Sequence, residues 1–244
     1  MIDDILKRND HREYPLPEGP WIMRQKWEHL LFISYPVSVE MIKGLLPPGL
    51  DIDTFAGKAW ISIIPFKVSK MRIRNLSALP FLGSYLELNV QTYVKRKGIS
   101  GVYFFSLDAN NLLAVIGARM ATLPYFHAQM QLDKIDNAYQ FASVREGKER
   151  IKFKGHYRPI GEPFFPEKGI REYWLLERYT LWTYKGGRLY RGELHHEKWA
   201  IQNVTLSMEE LSLPILSNTL LDKEAVVHYA HEKVSLSWMM QKEK

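Results

Sequence analysis

Through most of this chain apolar and polar residues alternate in short runs, broken by Gly, Asn and Pro. The run Tyr85-Leu86-Glu87-Leu88-Asn89-Val90-Gln91 shows the pattern well. A period of two puts successive side chains on opposite faces of a strand, which a helix cannot do. Runs of this kind cover Trp27–Tyr35, Ala59–Lys67, Tyr85–Arg96, Val102–Leu107, Ala128–Ile135, Tyr139–Arg145, Arg150–Arg158, Thr180–Tyr184, Arg188–His196 and Ala225–Met239. Turn signals lie between them: Phe55-Ala56-Gly57-Lys58, Gly98, Asp136-Asn137, Gly147 and Lys185-Gly186-Gly187. The sequence predicts few helices. Ser38 caps one running to about Leu46, and Asp108 caps Ala109–Ala121 with Leu112, Leu113, Val115 and Ile116 on its buried side. Pro166 opens another that carries Trp174, and a short one runs from Ser207 to Leu211. With no linker, repeat or low-complexity tract, residues 1–244 read as one mainly β (α+β) domain. The even turn spacing favours an antiparallel barrel or closed sheet over a doubly wound fold.

Composition removes several function classes. The 244 residues include no Cys, so disulfides, thiolate metal sites and cysteine nucleophiles are excluded. The chain carries 33 Lys+Arg against 27 Asp+Glu, but the cations are scattered and read as solvated surface, not as a nucleic-acid footprint. The first residues lack the apolar run of a signal peptide, and no run is long enough to span a bilayer. A cytoplasmic protein with no nucleic-acid or membrane partner is the expectation. The 7 Trp, 13 Tyr and 11 Phe suit β-structure and apolar ligand cavities. There is no P-loop, serine elbow or dinucleotide fingerprint.

Two polar constellations stand out. Alternation places Tyr85, Glu87, Asn89 and Gln91 on one strand face; on pattern alone a solvent face is the plainer reading, and a ligand cavity is the other. In Arg188–His196, Glu193 and His195 share a face and His196 takes the opposite one. Two ligands of the right type fall short of a zinc site, and neither His29 nor His127 is tied to them by spacing, so no metal is expected. Hydrogen-bonded histidines on a polar hairpin strand are the plainer reading, and an acid–base pair is the functional one.

Four stretches carry a family resemblance: Leu46-Pro47-Pro48-Gly49-Leu50-Asp51-Ile52-Asp53, Tyr85 through Val94, Gly101-Val102-Tyr103-Phe104-Phe105-Ser106-Leu107-Asp108, and Arg188 through His196. Together, in this order and over about Trp27 to Trp238, they resemble the YqjF-like family of bacterial proteins. The structural relatives of that family resemble acetoacetate decarboxylase. The resemblance implies a closed antiparallel β-barrel with a few flanking helices around a central cavity. In the decarboxylase a cavity lysine forms a Schiff base, and a second lysine beside it lowers its pKa. The matching segment here is Gly117-Ala118-Arg119-Met120-Ala121-Thr122-Leu123-Pro124-Tyr125-Phe126-His127, so Tyr125 and Phe126 stand where the lysine pair would be. No lysine occurs between Lys97 and Lys134. The cavity glutamate of the decarboxylase matches Glu87. Its cavity arginine falls near Glu28 and is missing.

The resemblance thus implies a cavity lined by Asn89, Gln91, Arg119, Tyr125, Phe126 and His127, with Tyr125 or Phe126 at its floor. The expected function is binding of a small apolar, aromatic or keto ligand without Schiff-base decarboxylation and without a cofactor. The alternative is an enzyme in which Glu87, Glu193 and His195 perform acid–base chemistry on a keto or enol substrate. The decarboxylase forms larger assemblies, so a homo-oligomer, with Trp238 and the last strand at its interface, is a further expectation.

Overall fold

The computed structural model describes residues 2–76, 82–147, 150–214 and 224–243. In chain order the elements are α1 (Ile2–Lys7), β1 (Met23–Val37), α2 (Val39–Lys43), β2 (Asp51–Ile52), β3 (Ala59–Ile73), β4 (Ser84–Arg96), β5 (Ile99–Ala109), α3 (Leu112–Met120) and β6 (Tyr125–His127). They continue with β7 (Gln129–Ile135), β8 (Ala138–Arg145), β9 (Ile151–Phe164), α4 (Arg171–Leu176), β10 (Thr180–Lys185), β11 (Arg188–His195), β12 (Ile201–Ser212), β13 (Val226–Ser237) and β14 (Gln241–Lys242). The molecule is mostly β. Among the described residues no helix is long and apolar enough to cross a membrane.

The strands form a 14-stranded sheet in the order β14-β11-β10-β5-β4-β3-β1-β13-β12-β9-β8-β7, with β2 on β4 and β6 on β5. Strand β11 also pairs with β13, Leu194 opposite Ser237 and His195 opposite Leu236. The pairings β11-β10-β5-β4-β3-β1-β13 therefore return to their start. Tight turns set two of the hairpins. Lys97 and Gly98 have φ of 49° and 84°, and Gly186 and Gly187 have φ of 58° and 76°. Positive φ at both central residues matches the turn to the twist of the strands it joins.

The pairing departs from pure antiparallel at two places. Leu181 of β10 pairs with Val102 of β5 in parallel, and β6 runs parallel to β5. Gly101 makes the first approach feasible, because a Cβ there would stand 2.4 Å from the Thr180 carbonyl oxygen. Glycine alone lets two backbones come this close.

Alternation sorts each central strand between two cores. Leu30 and Phe32 of β1, Trp60, Ile64 and Phe66 of β3, and Tyr85 and Tyr93 of β4 face one way. Leu31, Ile33, Ile61, Ile63, Leu88 and Val90 face the other, where Phe141, Phe153 and Tyr157 from the β12-β9-β8-β7 end of the sheet cover them. Each such fully buried large side chain contributes about 1.5–3 kcal/mol. Strand β1 breaks its alternation at His29, which has φ 56° and lies where the register to β3 shifts between Glu28 and Ile33. That bulge turns Trp27 toward the same core as Leu30 and Phe32.

Several local expectations are overturned. Ser207–Leu211 is strand, held by β9 along the length of β12, and this pairing overrides a weak local helix preference. Asp51–Thr54, which the Phe55–Lys58 turn predicts as the hairpin partner of Ala59–Lys67, instead contributes β2, paired with β4. Helix α3 starts later than expected, because Asp108 still belongs to β5; Asn111 is the cap, accepting from the Ala114 N–H at 3.0 Å. Its buried side is Val115 with Ala114 and Ala118 packed alongside, whereas Leu112, Leu113 and Ile116 are exposed.

Candidate functional site

The inner faces of the cyclically paired strands line a pocket of about 420 Å3. Its walls are mainly apolar, among them Trp27, Phe32, Ile64, Phe66, Phe104 and Leu107. Against them stands a small polar group from β4: Glu87, Asn89 and Gln91 all line the pocket and are buried. Period two carries the three to the same side, and cross-strand neighbours on β3 and β5 cover them from solvent.

Glu87 is the chemical centre of this group. The Tyr125 hydroxyl donates to its Oε2 at 3.0 Å. Burial pushes its carboxyl up to about 8; hydrogen bonds from Tyr125 and Asn89 oppose that shift and the nearby Asp108 adds to it. At neutral pH the group is chiefly a protonated acid, able to donate as well as accept. Tyr125 is held well above the ordinary tyrosine range by burial and by Glu87, and so stays a donor. Its ring position is set from behind by Arg119, whose Nε donates to the Tyr125 carbonyl at 2.7 Å. Next to Glu87, the Asn89 Oδ1 is buried without a protein hydrogen-bond partner. Gln25 adds a further polar contact, its Nε2 donating to the Tyr85 hydroxyl at 3.2 Å and its Oε1 accepting from Trp27 Nε1 at 3.0 Å.

The structure divides the expected cavity residues. Asn89, Gln91 and Tyr125 line the pocket, and Arg119, Phe126 and His127 do not. The register of β6 on β5 explains the split. Tyr125 pairs with Leu107, which faces the pocket, and Phe126 pairs with Asp108, on the opposite face. Phe126 lies instead beneath the Arg145 guanidinium at 4.1 Å, with Arg119 at 5.5 Å. Arg145 also pairs with buried Asp108 at 3.3 Å, and burial lifts that carboxyl to about 7. His127 ends the strand exposed.

The trio Glu87, Glu193 and His195 is likewise divided. Glu193 reaches the pocket wall, but its carboxylate is taken by Arg12 at 3.5 Å, Arg191 at 3.4 Å and Thr180 Oγ1 at 3.2 Å. His195 is buried outside the pocket, where its Nε2 donates to the Ile5 carbonyl of α1 at 2.8 Å. Burial lowers its pKa to about 4, so the ring is neutral and anchors the N-terminal helix. His196, on the other face, is the histidine that lines the pocket; its Nδ1 donates to the Glu197 carbonyl at 2.8 Å. Among the described residues no three His, Asp or Glu side chains group as metal ligands.

Sequence reasoning missed Arg178. It lines the pocket, with Nη1 on Asp53 at 2.7 Å and its guanidinium over Trp174 at 4.4 Å, while Nη2 has no hydrogen-bond partner. An isolated Arg between a short helix and a strand carries no local signal for this. No lysine stands among the described residues lining the pocket. Lys233 lies behind the wall, its ammonium 5.3 Å from the Trp199 ring centroid and donating to the Lys198 carbonyl.

A mostly β sheet with a pairing cycle and an inward pocket defines a protein of the acetoacetate decarboxylase-like fold. An acetoacetate decarboxylase-like enzyme from Sphingomonas wittichii RW1 superposes with a TM-score of 0.66 at 11% identity, covering 96% of this chain and 98% of that one. The acetoacetate decarboxylase of Legionella pneumophila gives 0.64 at 14% identity, covering 97% and 94%. The enduracididine biosynthesis enzyme MppR, complexed with the condensation product of pyruvate and imidazole 4-carboxaldehyde, gives 0.65 at 11% identity, covering 94% and 92%. Within that fold, the chain belongs to the DUF2071 family of uncharacterized conserved proteins, whose model it matches over residues 24–233. It is 40% identical to the uncharacterized protein YqjF of Bacillus subtilis (strain 168) over 243 residues, 98% of this chain and 99% of that protein.

Proposed function

We propose that the cyclic strand pairing is a closed barrel and that its pocket binds a small, largely apolar molecule carrying one carbonyl or hydroxyl oxygen, without forming a Schiff base. The observation that carries this reading is the buried Glu87–Tyr125 pair, 3.0 Å apart, set in apolar walls. With the Tyr125 hydrogen given to Glu87, the protonated acid keeps its own O–H as the donor to a ligand oxygen. The unpartnered Asn89 Oδ1 supplies an acceptor, and leaving such an atom unmet costs about 1–3 kcal/mol. The pocket volume, about 420 Å3, lies in the range of small-molecule sites. The fold neighbours that are enzymes include MppR with a pyruvate-derived product, which supports a carbonyl-bearing ligand. The absence of a lining lysine among the described residues supports ligand recognition without imine chemistry.

Calorimetry with size-matched pairs of aryl or acyl ketones and plain hydrocarbons tests the reading. The ketones should bind more tightly, and Glu87→Leu should remove about tenfold of that preference, the worth of one hydrogen bond of about 1.4 kcal/mol. Equal binding of both members by both proteins would refute it.

A second reading rests on Glu87 alone. A carboxyl with a pKa of about 8 is suited to move a proton at the carbon beside a bound carbonyl. Deuterium exchange into an enolisable ketone, followed by NMR and abolished in Glu87→Gln, is its expected signature. His195 has no place in this version, because α1 holds it away from the pocket.

A further inference from the structure

Helix α3 turns an apolar side to solvent. Leu112, Leu113, Ile116 and Met120 are 57%, 54%, 49% and 82% exposed. Positions 112, 116 and 120 recur every four residues, so they form one stripe along the helix. Large side chains grouped like this on a soluble protein mark a contact surface. The stripe leads to the pocket. Met120 lines it, as does Met239, itself 65% exposed.

One other segment meets the end of α3, and a second is joined to that one. The Thr183 hydroxyl donates to the Thr122 carbonyl at 2.9 Å and Lys185 Nζ to the Arg119 carbonyl at 2.7 Å, which fastens the β10–β11 hairpin to the helix. Strand β14 pairs in turn with β11, Lys242 opposite Tyr190. These three segments are basic. Arg119, Lys185, Arg188 and Lys242 lie on them, and the sequence has no Asp or Glu between Asp108 and Asp133, between Glu177 and Glu193, or between Glu232 and Glu243. Tyr184, at the hairpin tip, is 39% exposed.

We propose that this face docks on an anionic lipid surface, with the α3 stripe in the acyl region, the four cations at the headgroups and the pocket mouth opening toward the bilayer. Charge decides the occupant. A second copy of this chain, with a net charge of +6, would set the same cations against each other, whereas an anionic surface satisfies them. Contact of this kind needs no spanning segment: an amphipathic face with cations on its rim is held by both terms. Methionines at the mouth suit it as well, since they adapt to flexible apolar guests. The inference rests on the pocket reading above in one respect: an apolar ligand would be drawn from the membrane, where it partitions.

Flotation of the full chain with phosphatidylcholine vesicles, with and without phosphatidylglycerol, tests it. The protein should float with the anionic vesicles alone and be released by high salt. Leu112→Gln/Leu113→Gln/Ile116→Gln should abolish flotation. Lys185→Gln and Arg188→Gln should each weaken it about fivefold, matching about 1 kcal/mol per basic residue. If the triple variant misfolds, Ile116→Cys supplies a second readout, because the chain has no other Cys. An environment-sensitive dye placed there should shift to the blue on anionic vesicles. Failure of the wild type to float, a triple variant that floats like the wild type, or an unshifted dye would overturn the proposal. So would a wild-type dimer in light scattering that the triple variant dissolves, since a second copy would then own the face. A protein that binds ketones in solution but ignores vesicles loses this inference and keeps the pocket reading; one that floats but binds no ligand does the reverse.

Discussion

Replacing Glu87 by Gln should make the protein more stable at alkaline pH, a result opposite to the usual loss on altering a buried polar residue. The folded carboxyl titrates at about 8 instead of 4.5. Below about pH 4.5 it is protonated in both states and adds no pH dependence. Between 4.5 and 8 the unfolded chain releases its proton while the native protein keeps it. The native state then binds more protons, and stability falls as pH rises. Above 8 the full penalty is in place. With about 1.36 kcal/mol per unit over 3.5 units, its ceiling is about 5 kcal/mol. Water entering the pocket reduces this. Gln carries no titration and can still accept the Tyr125 hydroxyl. Denaturant unfolding of both proteins at closely spaced pH values gives the stability difference directly. Asp108, also raised, to about 7, is present in both and largely cancels. The difference should grow steadily in favour of Glu87→Gln from about pH 4.5 to 8 and then level off. A flat difference, or one that moves toward the wild type with rising pH, would refute burial as the origin of the shift.

Other outcomes follow from the same geometry. Gly101→Ala forces a Cβ to 2.4 Å from the Thr180 carbonyl, so it should cost about 3 kcal/mol or more and loosen the β5–β10 pairing, as hydrogen exchange of Thr180–Lys185 would show. His195, with its pKa lowered to about 4 from 6.5, contributes stability that is lost as pH falls through that interval; exchange of residues 2–12 should therefore accelerate below about pH 6 in the wild type and be less pH-sensitive in His195→Gln. Phe153→Ala, emptying a fully buried site in the core between the β9–β8 strands and the β1–β3–β4 strands, should cost about 3–5 kcal/mol in unfolding experiments and leave ketone binding in place. Borohydride treatment with acetoacetate should leave the intact mass unchanged; an adduct on Lys233 would show that the wall of Trp199 opens.

The alternating runs made most strands legible, and at Tyr85–Arg96 they assigned Glu87, Asn89 and Gln91 to one face correctly. Which environment that face meets is not a local property. Glu87 reads the same on a solvent face as in a pocket, until the pairing of β11 with β13 brings the strands round on themselves. Helix α3 failed for a related reason. Leu112, Leu113 and Ile116 look like a buried side, yet the helix packs through its small residues and turns the large ones outward. Ser207–Leu211 has weak helical character that β9 overrides by pairing.

By itself, the sequence determined the strand periodicity, the glycine turns, the absence of a lysine at Tyr125 and Phe126, and the family, because these depend on residue type and spacing. Tertiary structure alone decided that Tyr125 faces the pocket and Phe126 does not, that His196 and Arg178 border it, and that His195 serves α1 instead. Each of these depends on strand register or on contact between segments far apart in the chain. A shift of one residue in register exchanges the two faces of a strand, and no local pattern specifies it.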